Sequence, residues 1–271
     1  MPTTIDVYRL NELRPGDLLF ERGEPKVAAA FGPREGFGHV GVAITRLCWL
    51  HAGLDGVKLQ LMPAHICRTS SGETFIGVTA EGPTQLMRSM NPPLQADIWS
   101  RAVGEIGRNY ASRLRLLALG DLTLIGQRSL RSPNQLLAET ENSLIPGRIC
   151  SESSARVLGL RDPFMSPAAL ERTPDLRIVQ GGVAQGSSIG PPVAMVEAAK
   201  ELAAANTPHM NRLVKRLLLG VASLRGADKG ELATFSEVVD KAVCADIATS
   251  LRALTTIQTY ENLAIEALSK A

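Results

Sequence analysis

Three side chains have the type and setting that covalent chemistry asks for: His39, His51 and Cys150. The 271 residues include only four histidines, at positions 39, 51, 65 and 209. His39 stands in Gly38-His39-Val40-Gly41-Val42-Ala43-Ile44, where Val40, Val42 and Ile44 alternate with small residues. That period of two is the signature of a strand. His51 lies in a second strand-like run, Cys48-Trp49-Leu50-His51-Ala52, and Thr45-Arg46 offers a short connection between the two. Paired as a hairpin, the runs bring both imidazoles to one place, where one can act as a base while the other holds it in position.

Cys150 is followed directly by Ser151-Glu152-Ser153-Ser154-Ala155-Arg156-Val157-Leu158, which reads as a helix stopping near Gly159. A thiol at a helix N-terminus is favoured as the thiolate by the backbone dipoles. The same N–H groups can hold a developing oxyanion. The opposing reading is a buried, inert thiol with an ordinary pKa and no histidine contact.

The other candidates carry weaker claims. Cys67, near His65 in His65-Ile66-Cys67, is the rival for a Cys-His pair or a metal site, since alternate residues of a strand face the same way. Cys48 falls within the second strand run and reads as core. Cys244 and His209 fall in helical text and read as packing or surface residues. Asp17 reads as a turn stabiliser after Pro15-Gly16. Glu73 and Glu81 read as surface acids with a lesser claim to orient a histidine. Glu152 reads as a first-turn helix charge. Tyr110 reads equally as a groove-lining or a core residue.

Composition bounds the class. Hydrophobic content is 45% and charged content 21%, ordinary for a globular chain. A net charge of +2 favours neither nucleic acid nor an anionic membrane surface, and no pattern of interleaved aromatic and basic residues suggests base stacking. The four cysteines, at 48, 67, 150 and 244, have neither disulfide-framework nor zinc spacing. No run approaches the roughly 20 apolar residues of a membrane span. The opening Met1-Pro2-Thr3-Thr4-Ile5-Asp6 lacks a basic-then-apolar leader, so the expected location is cytoplasmic, with signal-independent export left open.

Residues 1–180 read as a mixed α+β domain, with strand-like runs at 17–20, 39–44, 48–52, 57–61 and 74–79 and a helix over 96–119. Residues 126–148, broken by Pro133 and Pro146, read as an insertion or flap. Residues 181–192 have the Gly/Ser/Pro chemistry of a linker. Residues 193–271 read as an all-helical C-terminal region, with Leu232, Phe235, Val239, Val243, Ile247, Leu251, Leu254 and Ile257 on one stripe. Such a region packs on the first domain, self-associates or takes up a protein partner.

The text over residues 13–59 resembles the NlpC-type papain-like cysteine peptidases. Leu13-Arg14-Pro15-Gly16-Asp17-Leu18-Leu19-Phe20 is similar to the segment preceding that family's histidine strand. His39-Val40-Gly41 resembles the histidine strand itself, and His51-Ala52 and Gly56-Val57 resemble the next two strands. Gly107-Arg108-Asn109-Tyr110 is similar to the family's Gly-x-x-Tyr, Cys150-Ser151-Glu152 to its nucleophile helix, and Thr173-Pro174-Asp175-Leu176 to its ending. No cysteine precedes residue 48, whereas ordinary members place the nucleophile first. The order resembles the circularly permuted branch that includes lecithin:retinol acyltransferase-like proteins. The resemblance spans about residues 10–180 and not 190–271.

It implies a permuted papain-like fold with a small antiparallel sheet packed on helices. It implies Cys150 as nucleophile, His39 as base and His51 as the orienting third member, with no metal or organic cofactor. The implied activity is cleavage of an amide or peptide bond, in a peptide or in peptidoglycan. Lipid ester hydrolysis or acyl transfer on an acyl-lipid substrate is the alternative. A non-catalytic scaffold that binds partners through its helical tail is the reading from another class, and a toxin acting on cell wall or lipid is compatible with the first.

Overall fold

The computed structural model describes residues 4–21, 39–53, 56–79, 84–110, 147–163, 165, 167–179, 183–208, 226 and 228–269. The architecture is mixed α and β, built on antiparallel sheets, one of which closes into a small barrel. Its strands are β1 (Thr4–Arg9), β2 (Leu18–Glu21), β3 (His39–Ala43), β4 (Cys48–Gly53), β5 (Gly56–Leu61), β6 (Ala64–Arg68), β7 (Thr74–Val78), β8 (Thr84–Ser89), β9 (Asn109–Tyr110), β10 (Gly147–Arg148), β11 (Leu176–Ile178) and β12 (Val183–Gly190). The helices are α1 (Gln95–Glu105), α2 (Cys150–Leu158), α3 (Pro167–Glu171), α4 (Val193–Ala205) and α5 (Lys229–Ser269).

A six-stranded sheet, ordered β11-β8-β2-β3-β4-β5, forms the middle layer. Period-two alternation sends its side chains to two different cores. Phe20, Val40, Val42, Leu50 and Leu59 face α1, α2, α4 and α5, meeting Ile98, Val157, Ala198 and Leu254. Leu19, Ala43, Trp49 and Leu86 face the other way, onto Tyr8, Leu13, Ala64, Ile76 and Val78 beside the barrel β1-β12-β6-β7. The middle sheet is therefore covered on both faces over much of its central strands, which explains continuous apolar stretches such as Leu18-Leu19-Phe20.

Two sequence expectations change here. Residues 183–190 of the linker expected over 181–192 are a strand instead. Val183–Gly190 is a barrel strand, pairing with β1 from Thr4↔Ser187 to Tyr8↔Val183 and with β6 through Ser187↔Arg68. Its glycine answers a packing need: a Cβ on Gly186 would lie 2.9 Å from Cys67 Cβ and 3.3 Å from Phe75 Cζ. Small residues permit that close approach between strands. The helix expected over 96–119 stops at Glu105, because Gly107 turns the chain with φ +76. The backbone then bonds to β5, Gly107 N–H to Val57 O at 2.7 Å and Val57 N–H to Arg108 O at 2.9 Å, before Asn109 and Tyr110 pair in parallel with Gly147 and Arg148. Residues 111–119 and 126–146 of the expected helix and flap lie outside the described residues, as does Glu81.

The helical C-terminal region is part of the same core rather than a separate unit. Ala198, Ala205, Ala253, Leu254 and Ile257 pack with the middle sheet, and Asn206 bonds both backbone atoms of Leu59 in β5, at 2.8 Å each. No helix among the described residues is long and apolar enough to cross a membrane.

Candidate active site

The β3–β4 hairpin and the start of α2 converge. The ladder between β3 and β4 pairs Val42 with Leu50 and Ala43 with Trp49, next to the turn. Towards His39 that pairing stops, which releases the Val40 N–H from the sheet; it donates to the Cys150 sulfur instead. The register puts His39 and His51 on one face as diagonal neighbours, a separation aromatic side chains can span. Their ring centroids lie 4.4 Å apart with planes inclined at 56°.

Cys150 is the first residue of α2 and only 4% exposed. The N-cap is Ile149, which makes no side-chain capping bond, so the first-turn N–H groups are not taken up by a cap side chain. One of them, from Ser151, also donates to the sulfur. Burial pushes the thiol pKa up, but the His39 charge, the His39 hydrogen bond and the two N–H groups outweigh it, and the thiol is held below its ordinary value. For His39 burial acts downward, and the Cys150 charge and hydrogen bond together with Glu21 more than offset it, raising the imidazole. Both shifts favour the same pair, thiolate and imidazolium. His39 Nε2 is buried without a hydrogen-bond partner.

A cavity of about 230 Å³ reaches both imidazoles. It lies against the barrel-side face of the sheet, with Leu19, Glu21, Trp49, Gln60, Met62 and Thr79 among its walls.

The structure thus brings together His39, His51 and Cys150 and leaves the rival cysteines elsewhere. Cys48 is fully buried, and burial raises its pKa well above the ordinary thiol range. Cys67 lies in the barrel core with Val7 and Phe75, its pKa likewise raised by burial, while His65 turns to Ser188, Nδ1 to Oγ 3.1 Å. Among the described residues no three His, Cys, Asp or Glu side chains cluster as metal ligands would.

Asp17 is structural. Fully buried, it accepts Arg88 Nε at 2.6 Å, Arg88 Nη2 at 2.8 Å and the Arg14 N–H at 2.8 Å, tying the turn before β2 to β8. Glu73 pairs with Arg9 at 2.5 Å on the surface. Glu152 is buried and bonds Arg156 at 3.3 Å one turn along α2. Tyr110 is in β9.

Two acids near the hairpin carry no mark in the sequence. Glu21 ends β2 directly opposite His39. Glu261, on α5, is buried in the hairpin turn, where it accepts the Thr45 hydroxyl, the Leu47 N–H at 2.8 Å and the Arg46 N–H at 3.2 Å. Strand register in the one case, and a contact between residues 216 positions apart in the other, leave no local pattern by which either could be recognised. Comparison with known proteins found no matching family model, no matching curated protein and no matching solved structure.

Proposed function

We propose that this protein is a cysteine hydrolase that cleaves an amide or peptide bond through Cys150, His39 and His51, on a circularly permuted papain-like arrangement. The observation that carries the reading is the Cys150–His39 pair: a thiol lowered and an imidazole raised by each other at the N-terminus of a helix. An inert buried cysteine has its pKa raised, as Cys48 and Cys67 have in this same molecule. The order of elements supports the permuted arrangement, with the histidine hairpin ahead of the helix that opens on the cysteine.

The Cys150 thiolate attacks the carbonyl carbon, and the oxyanion is held by first-turn N–H groups of α2. His39 gives its proton to the departing amine as the C–N bond breaks, leaving a thioester on Cys150. Neutral His39 then takes a proton from water as the hydroxide adds to the thioester. Collapse releases the carboxylic acid and restores the thiolate–imidazolium pair. His51 lies in ring contact with His39 and would limit its rotation by packing; the hydrogen bond that a triad's third member makes to the base is not formed, since His39 Nε2 has no partner.

The test is acylation by 4-nitrophenyl acetate with intact-protein and peptide mass spectrometry as the readout. A burst of nitrophenolate with one acetyl group on Cys150, lost in Cys150→Ala and in His39→Ala, is expected. Acetylation spread over lysines, with no burst and no adduct at Cys150, overturns the reading. Matched amide and ester substrates with one acyl group then separate peptidase from esterase or acyltransferase chemistry.

A further inference from the structure

We propose that Glu21 is a positioning residue of this site, a carboxylate set across the strand ladder from His39 that stabilises its imidazolium. The inference rests on the reading of Cys150, His39 and His51 as the reacting centre. Glu21 and His39 are direct partners in the β2–β3 ladder, next to the pair Phe20↔Val40. Directly opposed residues of an antiparallel pair project from the same face and are close enough to interact. Both also line the cavity of about 230 Å³ that reaches the two imidazoles.

A Cys-His-His set has a gap that this carboxylate fills. In a triad ending in an acid, the third member both orients the base and balances the charge on its imidazolium. His51 can orient His39, but a neutral imidazole brings no compensating charge. Among the described residues the groups facing His39 are Cys150 from α2, Glu21 from β2 and His51 from β4, with Lys58 of β5 beyond, opposite His51. Once Cys150 is acylated its negative charge is gone, and of these groups only Glu21 still supplies one. That is the stage at which His39 must accept a proton from water. The raised pKa of His39, to which the Glu21 charge contributes, agrees with this geometry.

The test is an NMR titration of the full chain labelled with ¹³C,¹⁵N-histidine, in wild type, Glu21→Gln and Glu21→Asp, with His39→Ala to assign the signal. The expected result is a fall in the His39 midpoint of about one pH unit in Glu21→Gln, with most of it recovered in Glu21→Asp. The basic limb of the Cys150 acylation profile should move to lower pH by the same amount, which a merely structural loss would not do. An unmoved His39 midpoint in Glu21→Gln overturns the proposal. If Cys150 acylates normally while the midpoint stays put, only the role of Glu21 falls; if Cys150 never acylates, the hydrolase reading falls first.

Discussion

At the scale of residues, the proposed chemistry rests on two opposed shifts, the Cys150 thiol lowered and the His39 imidazole raised. On the proposed mechanism the reactive form is the thiolate–imidazolium pair, so reactivity is gained as pH rises through the Cys150 value, which lies below that of a free thiol, and lost as it rises through the His39 value, which lies above that of a free imidazole. The corresponding stability has the same window. The thiolate's contribution is present at high pH and lost as pH falls through the Cys150 value, and the imidazolium's is present at low pH and lost as pH rises through the His39 value. His39→Ala should slow acylation of Cys150 by about 10²–10⁴-fold, the usual worth of a positioned acid–base group, as measured by burst kinetics. The histidines and Cys150 were legible because residue type and local pattern mark them: a histidine in an alternating strand, a cysteine where a helix begins. Glu21 was not, because only the register of β2 against β3 gives it a role.

At the scale of elements, the hairpin that carries both histidines is tied down by the C-terminal helix. Thr45 accepts the Cys48 N–H at 2.9 Å while its own hydroxyl bonds Glu261, so one carboxylate closes the turn. Glu261→Ala removes the acceptor of the buried Thr45 hydroxyl and Leu47 N–H and of the partly buried Arg46 N–H, and should cost about 3 kcal/mol in urea unfolding. Burial raises the Glu261 pKa in spite of the bonds it accepts. The folded state therefore holds a proton that the unfolded chain releases, and its contribution to stability falls as pH rises above the ordinary glutamate value of 4.5. Glu261→Gln removes that dependence, so the melting-temperature difference between Glu261→Gln and wild type should widen with rising pH in the variant's favour. Strands with clean alternation or continuous β-branched text were legible in sequence. The strand Val183–Gly190 was not, because glycine and serine serve close packing against Cys67 and Phe75 here rather than chain freedom.

At the scale of the whole molecule, the middle sheet is covered by helices on one side and by the barrel on the other, so residues at the two ends of the chain build one core. Leu254 and Ile257 of α5 are 0% exposed against the sheet. Leu254→Ala should lower unfolding free energy by about 3 kcal/mol, within the range for buried leucine truncations, and a chain cut before α5 should not fold cooperatively. Asp17→Ala, which removes the buried carboxylate that partly buried Arg88 and the Arg14 N–H share, should cost about 2 kcal/mol. The mixed α+β class and the helical C-terminal region were readable from periodicity. The joining of the two into one core was not: an amphipathic stripe records that a face is buried and not against what, and Ala198, Ala205 and Ala253 mark close helix packing that no local rule identifies.

The thiolate–imidazolium pair is tested most directly by the rate of Cys150 alkylation by iodoacetamide against pH, read by peptide mass spectrometry in wild type and His39→Ala. Iodoacetamide is chosen as a small reagent because the residue is only 4% exposed. The pair predicts a rate already near its plateau at neutral pH in wild type, and an apparent pKa displaced upward in His39→Ala. A slow rate that rises only above the ordinary thiol value of 9.0, with the same profile in both proteins, would contradict it.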